Sequence, residues 1–271
     1  TLVGSNPAAI PRGVDEIFGT ASILKANHVF EMGGAHAIAA FAYGTRTVLK
    51  ADRIVGPGSI YVAAAKKLLA GEVGIDFVAG PTEILLIAAD GKPALLAADM
   101  LAQAEHDTDA SAILLTTSRS LAEAVAAEIE RQLETLPTAP IARVAIRKNS
   151  AILLVDSLDH AVELANLFAP EHLSIPSRSL LAKVRHAGSV FIGAYSPEAA
   201  GDYASGPNHV LPTNGAARLR GGLSAADYLK VISVQELSRK GLASILPAIT
   251  TLARAEGLEA HARSVEVRQN A

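Results

Sequence analysis

Apolar positions along this chain follow two different periods, and the alternation between them divides most of the chain into short segments. Apolar residues that recur every three or four positions predict helices, and short apolar runs that end at glycine predict strands. From about residue 14 the predicted elements are the helix VDEIFGTASILKAN, the strand HVFEMG, the helix AHAIAAFAYG, the strand ADRIVGPG and the helix SIYVAAAKKLLAGE. Helices and strands that alternate in this way are typical of a doubly wound α/β sheet.

The alternation continues around Gly80 and Pro81, which separate two short predicted strands, DFVAG and TEILLIAAD. We place a domain boundary at this point. A helix over about 93–106 begins at Pro93, where the missing N–H of proline costs little, and a longer helix follows with Ser120 as its predicted N-cap. The other predictions are the strands SAILLTTS, ARVAIRKN, AILLVDS and SVFIG and the helices SLAEAVAAEIERQLETL and LDHAVELANLFA, the last stopped by Pro170.

One long stretch, AYSPEAAGDYASGPNHVLPTNGAARLRGG, has almost no periodicity. Such stretches in compact domains are usually functional or disordered, and the single Tyr, Asn and His residues here favour a functional loop. From about Ser224 the pattern again predicts helices, over SAADYLKVISV and RKGLASILPAITTLARAEG. The sequence therefore predicts α/β, doubly wound Rossmann-like sheet domains with a small helical C-terminal tail, divided into residues 1–81, 82–223 and 224–271.

Composition narrows the possible functions. The 271 residues are 50% hydrophobic, which is enough for one large domain or two smaller ones with substantial cores. A net charge of −3 without a long basic run gives no sign of a surface for nucleic acid or an anionic membrane. No apolar stretch reaches the length of a membrane span, and the first residues lack the pattern of a signal peptide. We therefore expect a cytoplasmic protein that acts on small molecules.

The lack of cysteine excludes several kinds of chemistry. With no cysteine in the sequence there are no disulfides, no thiolate metal sites and no cysteine nucleophile. Any metal must therefore be held by imidazole, carboxylate or amide groups. The chain also starts at Thr1 and runs at once into a loop-like NPAAIPRG, which suggests an incomplete or processed chain.

Two short motifs place polar groups where they could act together. In LAQAEHD, at the end of a predicted helix, Gln103 and His106 are three residues apart and share one helix face. This pair fits a metal site, and it also fits an ordinary helix end with a solvated histidine. In FAPEHLSI, Glu171 and His172 stand side by side after a helix stop, either as a general acid–base pair or as a surface turn.

Other segments offer polar groups whose roles stay open on the residues alone. GDYASGPNHVLPT sets Asp202 and His209 among glycines and prolines, in a ligand-binding loop or a turn-rich surface loop. EGLEAHA places Glu256 and His261 near the C-terminus, where residues usually belong to a tail. GPGSIYVAAAKK follows a predicted strand and opens a helix, as does MGGAHAIAA with His36. Doubly wound folds bind phosphates at such positions, although the full dinucleotide fingerprint is lacking.

Several motifs together resemble the histidinol dehydrogenase family, in order and spacing, across nearly the whole chain. They are GPGSIYVAAAKK, GIDFVAGPTEILLIAAD, DMLAQAEHD, APEHL, AGSVFIGAYSPEAAGDYASGPNHVLPT, GLSAADYLK and VQEL. The resemblance implies oxidation of L-histidinol to L-histidine through histidinaldehyde, with two NAD molecules and a zinc ion. Family chains extend well beyond the position of Thr1, so the resemblance also implies that the first sheet domain is partial.

The resemblance implies a role for each matching residue. The implied zinc ligands, which also contact the substrate, are Gln103, His106, Asp202 and His261. In the family the last of these is donated by the other subunit of a homodimer. A ligand set of nitrogen and oxygen atoms suits zinc and leaves room for the substrate to coordinate. The other implied roles are an acid–base pair, Glu171 and His172, substrate contacts, Thr82, His209 and Glu256, and NAD contacts, His36 and Ser59.

The implied chemistry agrees with the lack of cysteine. Oxidation of an aldehyde to an acid often proceeds through a cysteine thiohemiacetal, so the route in this chain must run through an aldehyde hydrate. In this interpretation zinc orients the amino alcohol and His172 takes the hydroxyl proton while hydride leaves to NAD. Glu171 helps to activate the water that attacks the aldehyde.

Three residues depart from the family pattern. The family commonly has Gln at the position of His36, Asn at that of Ser59 and Ser at that of Thr82. These departures leave open a paralogue that oxidises another alcohol. The short N-terminal side leaves open a truncated, catalytically silent zinc-binding protein.

Overall fold

The structure is a computed structural model that describes residues 2–5, 14–26 and 28–269. The elements of its first part are β1 (Leu2–Ser5), α1 (Val14–Ile23), β2 (His28–Glu31), α2 (Gly34–Tyr43), β3 (Arg53–Ile54), α3 (Ile60–Leu69) and β4 (Gly74–Ile75). The strands form two small parallel sheets, β1 with β2 and β3 with β4. Helices therefore alternate with parallel strands here, as the periodicity predicts.

Helix α2 supplies much of the core of this first part. Its buried residues Ala37, Ile38 and Phe41 recur at the spacing of one helix face. They pack with apolar side chains of β3 and of the turn before β4. The helix ends at Gly44, whose left-handed φ of 75° lets its N–H reach the carbonyl oxygen of Ala40.

A second, larger sheet follows. Its elements are β5 (Glu83–Ala88), α4 (Pro93–Ala104), β6 (Ser111–Thr116), α5 (Arg119–Leu133), α6 (Ala139–Asn149), β7 (Ala151–Leu154), α7 (Leu158–Phe168), β8 (His172–Ile175) and β9 (Ser189–Ile192). The five strands lie in the order β7, β6, β5, β8, β9, and every pair is parallel. The chain thus builds the sheet outward from β5 in one direction and then crosses to the other side of β5.

Strand β5 is buried on both faces because helices cover both sides of the sheet. Ile84 and Leu86 point to one face and pack with residues of α4, α5 and α6. Leu85 and Ile87 alternate with them and pack on the other face with residues of α7. This arrangement confirms the predicted doubly wound α/β class.

Two segments predicted as strands, DFVAG and ARVAIRKN, have other structures. Residues 76–80 connect β4 to β5 without a strand. The N–H of Asp76 still donates to Ile54 of β3, but its carbonyl oxygen accepts from the Arg220 side chain at 2.5 Å, so strand pairing does not continue. ARVAIRKN lies in α6, where Ala142 and Ala145 are buried three positions apart. The strand prediction was wrong because this spacing belongs to a helix.

Two local predictions were also wrong. The N-cap of α5 is Ser118 rather than Ser120, because Ser118 Oγ accepts the N–H three residues later, at 3.2 Å. The segment SAADYLKVISV, predicted as a helix, contains only a short 3₁₀ turn over Ala225–Tyr228. Asp227 accepts the N–H of Ser224 at 2.8 Å, a local bond that favours a tight turn over a continuous helix.

The remaining helices are α8 (Glu198–Tyr203), α9 (Arg239–Ala255) and α10 (Glu259–Glu266). The chain divides into two compact units, residues 1–227 and 228–271, and α9 and α10 pack together in the second unit. The three-part division predicted from the sequence, with boundaries after residues 81 and 223, stays a prediction. Within the described ranges, no helix is long and apolar enough to cross a membrane.

Candidate active site

The candidate site lies at the amino ends of two neighbouring strands, β5 and β8. Thr82 and Glu83 lead into β5, Glu171 precedes β8, and His172 begins it. The strands are parallel and paired, so these residues meet at one edge of the sheet. Helix α4 returns the chain to this edge and ends close to Gln103. Doubly wound sheets more often bind ligands at the carboxyl edge, so the position is unusual.

Local backbone geometry sets the position of Glu171. Helix α7 ends at Phe168, and the buried Ala169 adopts a left-handed φ of 58° that turns the chain toward β8. The N–H of Ser189 donates to the carbonyl oxygen of Glu171 at 2.9 Å. Gly188 lies so close that a Cβ there would be 2.6 Å from the same oxygen. Only glycine fits beside the Glu171 backbone without a shift.

The Glu171 carboxylate is held by a chain of hydrogen bonds. Its Oε2 accepts from Thr82 Oγ1 at 2.5 Å and from the N–H of Glu83 at 3.0 Å. Thr82 Oγ1 in turn accepts from Gln103 Nε2 at 2.5 Å. Burial raises the pKa of Glu171, while His172 and these donors oppose the shift. Glu171 can therefore hold or release a proton in a site that is largely shielded from water.

The imidazole of His172 has one partnered and one unpartnered nitrogen. Nδ1 lies 3.2 Å from the carbonyl oxygen of Glu83, which can only accept, so Nδ1 carries a proton. Nε2 is buried, has no hydrogen-bond partner in the described part of the chain, and lies 3.8 Å from Asp202 Oδ1. Burial alone lowers the pKa of His172, but Asp202, Glu171 and Glu198 outweigh it and raise the pKa to about 9.

Asp202 lies on α8, within the stretch that has almost no periodicity in the sequence, and its carboxylate lies at the site. Its pKa is lowered by His172, whose Nε2 lies 3.8 Å from Oδ1, and by the nearby imidazoles of His106 and His209, against the effect of burial. Those two histidines are exposed and lie within electrostatic range of the carboxylate. The structure thus brings together seven of the predicted residues: Thr82, Gln103, His106, Glu171, His172, Asp202 and His209.

Four predicted residues lie elsewhere in the chain, and their roles stay predictions. His36 is exposed near the start of α2, and Ser59 is exposed at the N-cap of α3, each just after a strand of the first part. Glu256 and His261 belong to the second compact unit, where both are exposed.

Three acidic residues at the site were not predicted from the sequence. Burial is the main cause that raises the pKa of Glu83 to about 7, of Glu198 to about 8 and of Asp99 to about 6. Glu198 is buried, and its Oε2 has no partner among the described residues. A signal was present in the sequence, since Glu198 and Asp202 stand four residues apart and share a helix face.

Within one chain, the described residues of the site supply only part of a metal ligand set. Among the described residues, no three His, Asp or Glu side chains form a complete metal site. Gln103 is fully buried, yet its Oε1 has no hydrogen-bond partner in that part of the chain. A buried amide oxygen without a partner is costly unless it meets a ligand, so Gln103 Oε1 suits a cation. With His106 and Asp202 nearby, the donor set is nitrogen and oxygen, as zinc accepts.

Helices on both faces of a parallel sheet, with a buried acid–base pair at one edge, define a doubly wound α/β protein with a candidate catalytic centre. A family model described as histidinol dehydrogenase matches residues 3–269. The chain belongs to the histidinol dehydrogenase family.

Individual relatives agree with this assignment. Histidinol dehydrogenase from Halalkalibacterium halodurans is 50% identical over 264 residues, 96% of this chain and 62% of the relative. The enzyme of the same name from Thermus thermophilus is 51% identical over 273 residues, 99% of this chain and 65% of the relative. The crystal structure of histidinol dehydrogenase from Elizabethkingia anophelis has a TM-score of 0.90 at 42% identity, covering 94% of this chain and 60% of the other. The chain thus spans less than two thirds of their length.

Proposed function

We propose that this chain carries the catalytic centre of a zinc- and NAD-dependent oxidation of L-histidinol to L-histidine. The observation that carries the proposal is the buried Glu171–His172 pair, with a free His172 Nε2 and a free Gln103 Oε1 among the described residues. Family membership and the names of the relatives support the substrate. The reaction has two oxidations, of alcohol to aldehyde and of hydrated aldehyde to acid, and each transfers one hydride to NAD.

His172 is the proposed base of the first oxidation. Because Nδ1–H is held by the carbonyl of Glu83, only Nε2 is free to take the hydroxyl proton. As that proton leaves, hydride passes from the carbinol carbon to NAD, and the carbon–oxygen bond becomes the carbonyl of histidinaldehyde. The acidic neighbours raise the pKa of His172 to about 9, so the neutral form that can accept the proton grows as the pH rises above 7.

Glu171 is the proposed base for hydration of the aldehyde. Its buried carboxylate can take a proton from the attacking water while His172 returns its proton to the aldehyde oxygen, so that the water oxygen bonds to the aldehyde carbon, the hydrate forms and His172 is again neutral. The hydrate then loses a hydride to a second NAD and a hydroxyl proton to His172, which yields the acid. The balance is two NAD reduced and one water consumed for each alcohol. Thr82 and the amide of Glu83 keep the carboxylate in place through both steps.

The proposed zinc ligands are Gln103, His106 and Asp202 of one chain with His261 of a second. Bound zinc would supply a Lewis acid that orients the amino alcohol. We also propose the remaining contacts on family grounds: Thr82, His209 and Glu256 with the substrate, and His36 and Ser59 with NAD. The exposed Ser59 and the start of α3 fit an anionic group, because helix N-termini present free N–H groups.

A homodimer is proposed as the working form, in the cytoplasm. Residues 229–237 carry several apolar side chains that are largely exposed in the single chain: Leu229, Val231, Ile232, Val234 and Leu237. A run of this kind is typical of a surface that another chain covers. In a test of shared sites, His106→Asn and His261→Asn variants should each bind zinc weakly, and mixing them should restore some complete sites. Mixed dimers without recovered zinc binding would contradict the arrangement.

Purified chain assayed with L-histidinol, NAD and zinc tests the function. We expect two NADH per L-histidinol, and His172→Ala should abolish turnover while zinc remains bound. Turnover only with other alcohols would favour a paralogue, an alternative that His36, Ser59 and Thr82 motivate. Zinc binding with no turnover would favour a catalytically silent homologue.

A further inference from the structure

Glu83 contacts the acid–base pair through its backbone, and its side chain is a buried carboxyl that the proposed reaction does not use. Its side chain is buried, with 9% of the residue exposed, at the first position of β5. Its backbone contacts both members of the acid–base pair: the N–H donates to Glu171 Oε2 at 3.0 Å, and the carbonyl oxygen lies 3.2 Å from His172 Nδ1. These two contacts would exist with any residue at this position, so they do not explain a buried carboxyl group.

The Glu83 side chain contacts a different part of the molecule. Its Oε1 accepts the N–H of Asn214 at 3.1 Å, and the N–H of Gly215 also helps to stabilise the carboxylate. Asn214 and Gly215 have left-handed φ angles of 54° and 74°, so their N–H groups lie on one side of a tight turn. One residue before, Thr213 Oγ1 accepts the N–H of Gly80 at 2.7 Å. The turn is therefore fastened to the chain that enters β5.

This turn closes the segment that carries His209, one of the proposed substrate contacts. Residues 208–215 run from Asn208 to the turn in a largely irregular conformation. Asn214 is a non-glycine residue with a left-handed φ, a conformation that persists only where neighbouring groups hold it. The buried Glu83 carboxyl holds it here by accepting the Asn214 N–H. A buried carboxyl costs free energy unless it is hydrogen-bonded, so the contact is needed by both partners.

We propose that Glu83 is a positioning residue that holds the 208–215 loop against the acid–base pair. Its backbone orients Glu171 and His172, and its side chain orients the loop that carries His209. One residue thus fixes the distance between the groups that move protons and a group that binds the substrate. This role deepens the proposed function and rests on it for the identity of the substrate.

Paired variants of the full chain test the role of the side-chain oxygen. Glu83→Gln keeps an acceptor for the Asn214 N–H, whereas Glu83→Ala removes it. Loss of one buried hydrogen bond changes binding by up to about tenfold, so Glu83→Ala should raise the KM for L-histidinol by about that factor and change kcat less. Glu83→Gln should stay within about twofold of wild type. Glu123→Gln, at an exposed position on α5, is the matched control.

Hydrogen exchange of the amides at 213–215 gives a readout that needs no turnover. Exchange there should be faster in Glu83→Ala than in wild type, and Glu83→Gln should restore protection. An alanine variant with lower thermal stability but wild-type KM, kcat and exchange would overturn the proposal, as would a glutamine variant as impaired as alanine. If wild-type chain fails to oxidise L-histidinol, the proposed function fails, and the exchange experiment still decides the role of Glu83.

Discussion

Gly188 offers a sharp test of how the acid–base pair is held. In Gly188→Ala the added Cβ would lie 2.6 Å from the carbonyl oxygen of Glu171 and 3.1 Å from Pro212 Cδ. The first contact is with backbone, which cannot rotate away as a flexible side chain can. Real Cβ atoms essentially never come closer than 3.0 Å, so the Glu171 carbonyl must move by about 0.4 Å, the difference between 3.0 and 2.6 Å.

The size of the effect follows from this displacement. A misplacement of 1 Å can cost about 100-fold in rate, and a proportional loss on a logarithmic scale gives roughly sixfold for about 0.4 Å. Inserting a methyl group into a packed region also costs about 1–3 kcal/mol in free energy of unfolding. We therefore expect Gly188→Ala to lower kcat for L-histidinol about sixfold and to unfold at lower urea concentration.

The assay measures NADH formation and urea denaturation on the same preparation. Gly221→Ala is the control, because an added Cβ there meets no atom within 4 Å and its backbone is not left-handed. Its kcat and unfolding free energy should match those of wild type. Wild-type kcat and stability in Gly188→Ala would refute the claim that this close approach positions Glu171.

Two further predictions concern buried charges. Lys66 is buried, forms an ion pair with Asp76 and donates to the carbonyl oxygen of Gly56 at 2.9 Å. Lys66→Met would leave the Asp76 charge buried without its partner, so urea denaturation should show a free energy of unfolding that is lower by about 3–5 kcal/mol. Lys67 is exposed, so Lys67→Met is the control and should leave this free energy unchanged. Burial raises the pKa of Glu198 from 4.5 to about 8, so the folded state of the metal-free protein keeps a proton that the unfolded state loses. The free energy of unfolding of the metal-free protein should therefore decrease as the pH rises from about 4.5 to about 8. Glu198→Gln removes this titrating group, so the decrease should be smaller in that variant. An unchanged slope in denaturation curves across this range would contradict the assignment.

Periodicity in the sequence predicted most of the larger sheet because its strands and helices bury one continuous core. The run EILLIA in β5 is apolar at every position after Glu83, as a strand covered on both faces requires. The same reasoning failed for ARVAIRKN, where short apolar side chains at Ala142 and Ala145 allowed a strand interpretation of a helix. Residue type alone could not show that α5 is capped by Ser118 rather than by Ser120, because both are serines.

The sequence by itself determined the α/β class and the lack of cysteine chemistry, since these depend on composition and local spacing. The predicted shared helix face of Gln103 and His106 was wrong, because α4 ends at Ala104 and His106 lies in the turn beyond it. Only the tertiary structure decided that Glu171 and His172 are buried at the amino edge of the sheet, where Glu171 accepts a hydrogen bond from the partly buried Thr82. Strand order brings β8 beside β5 although 88 residues separate Glu83 from Glu171. Local patterns cannot encode such a contact, and the unusual pKa values of the site arise from it.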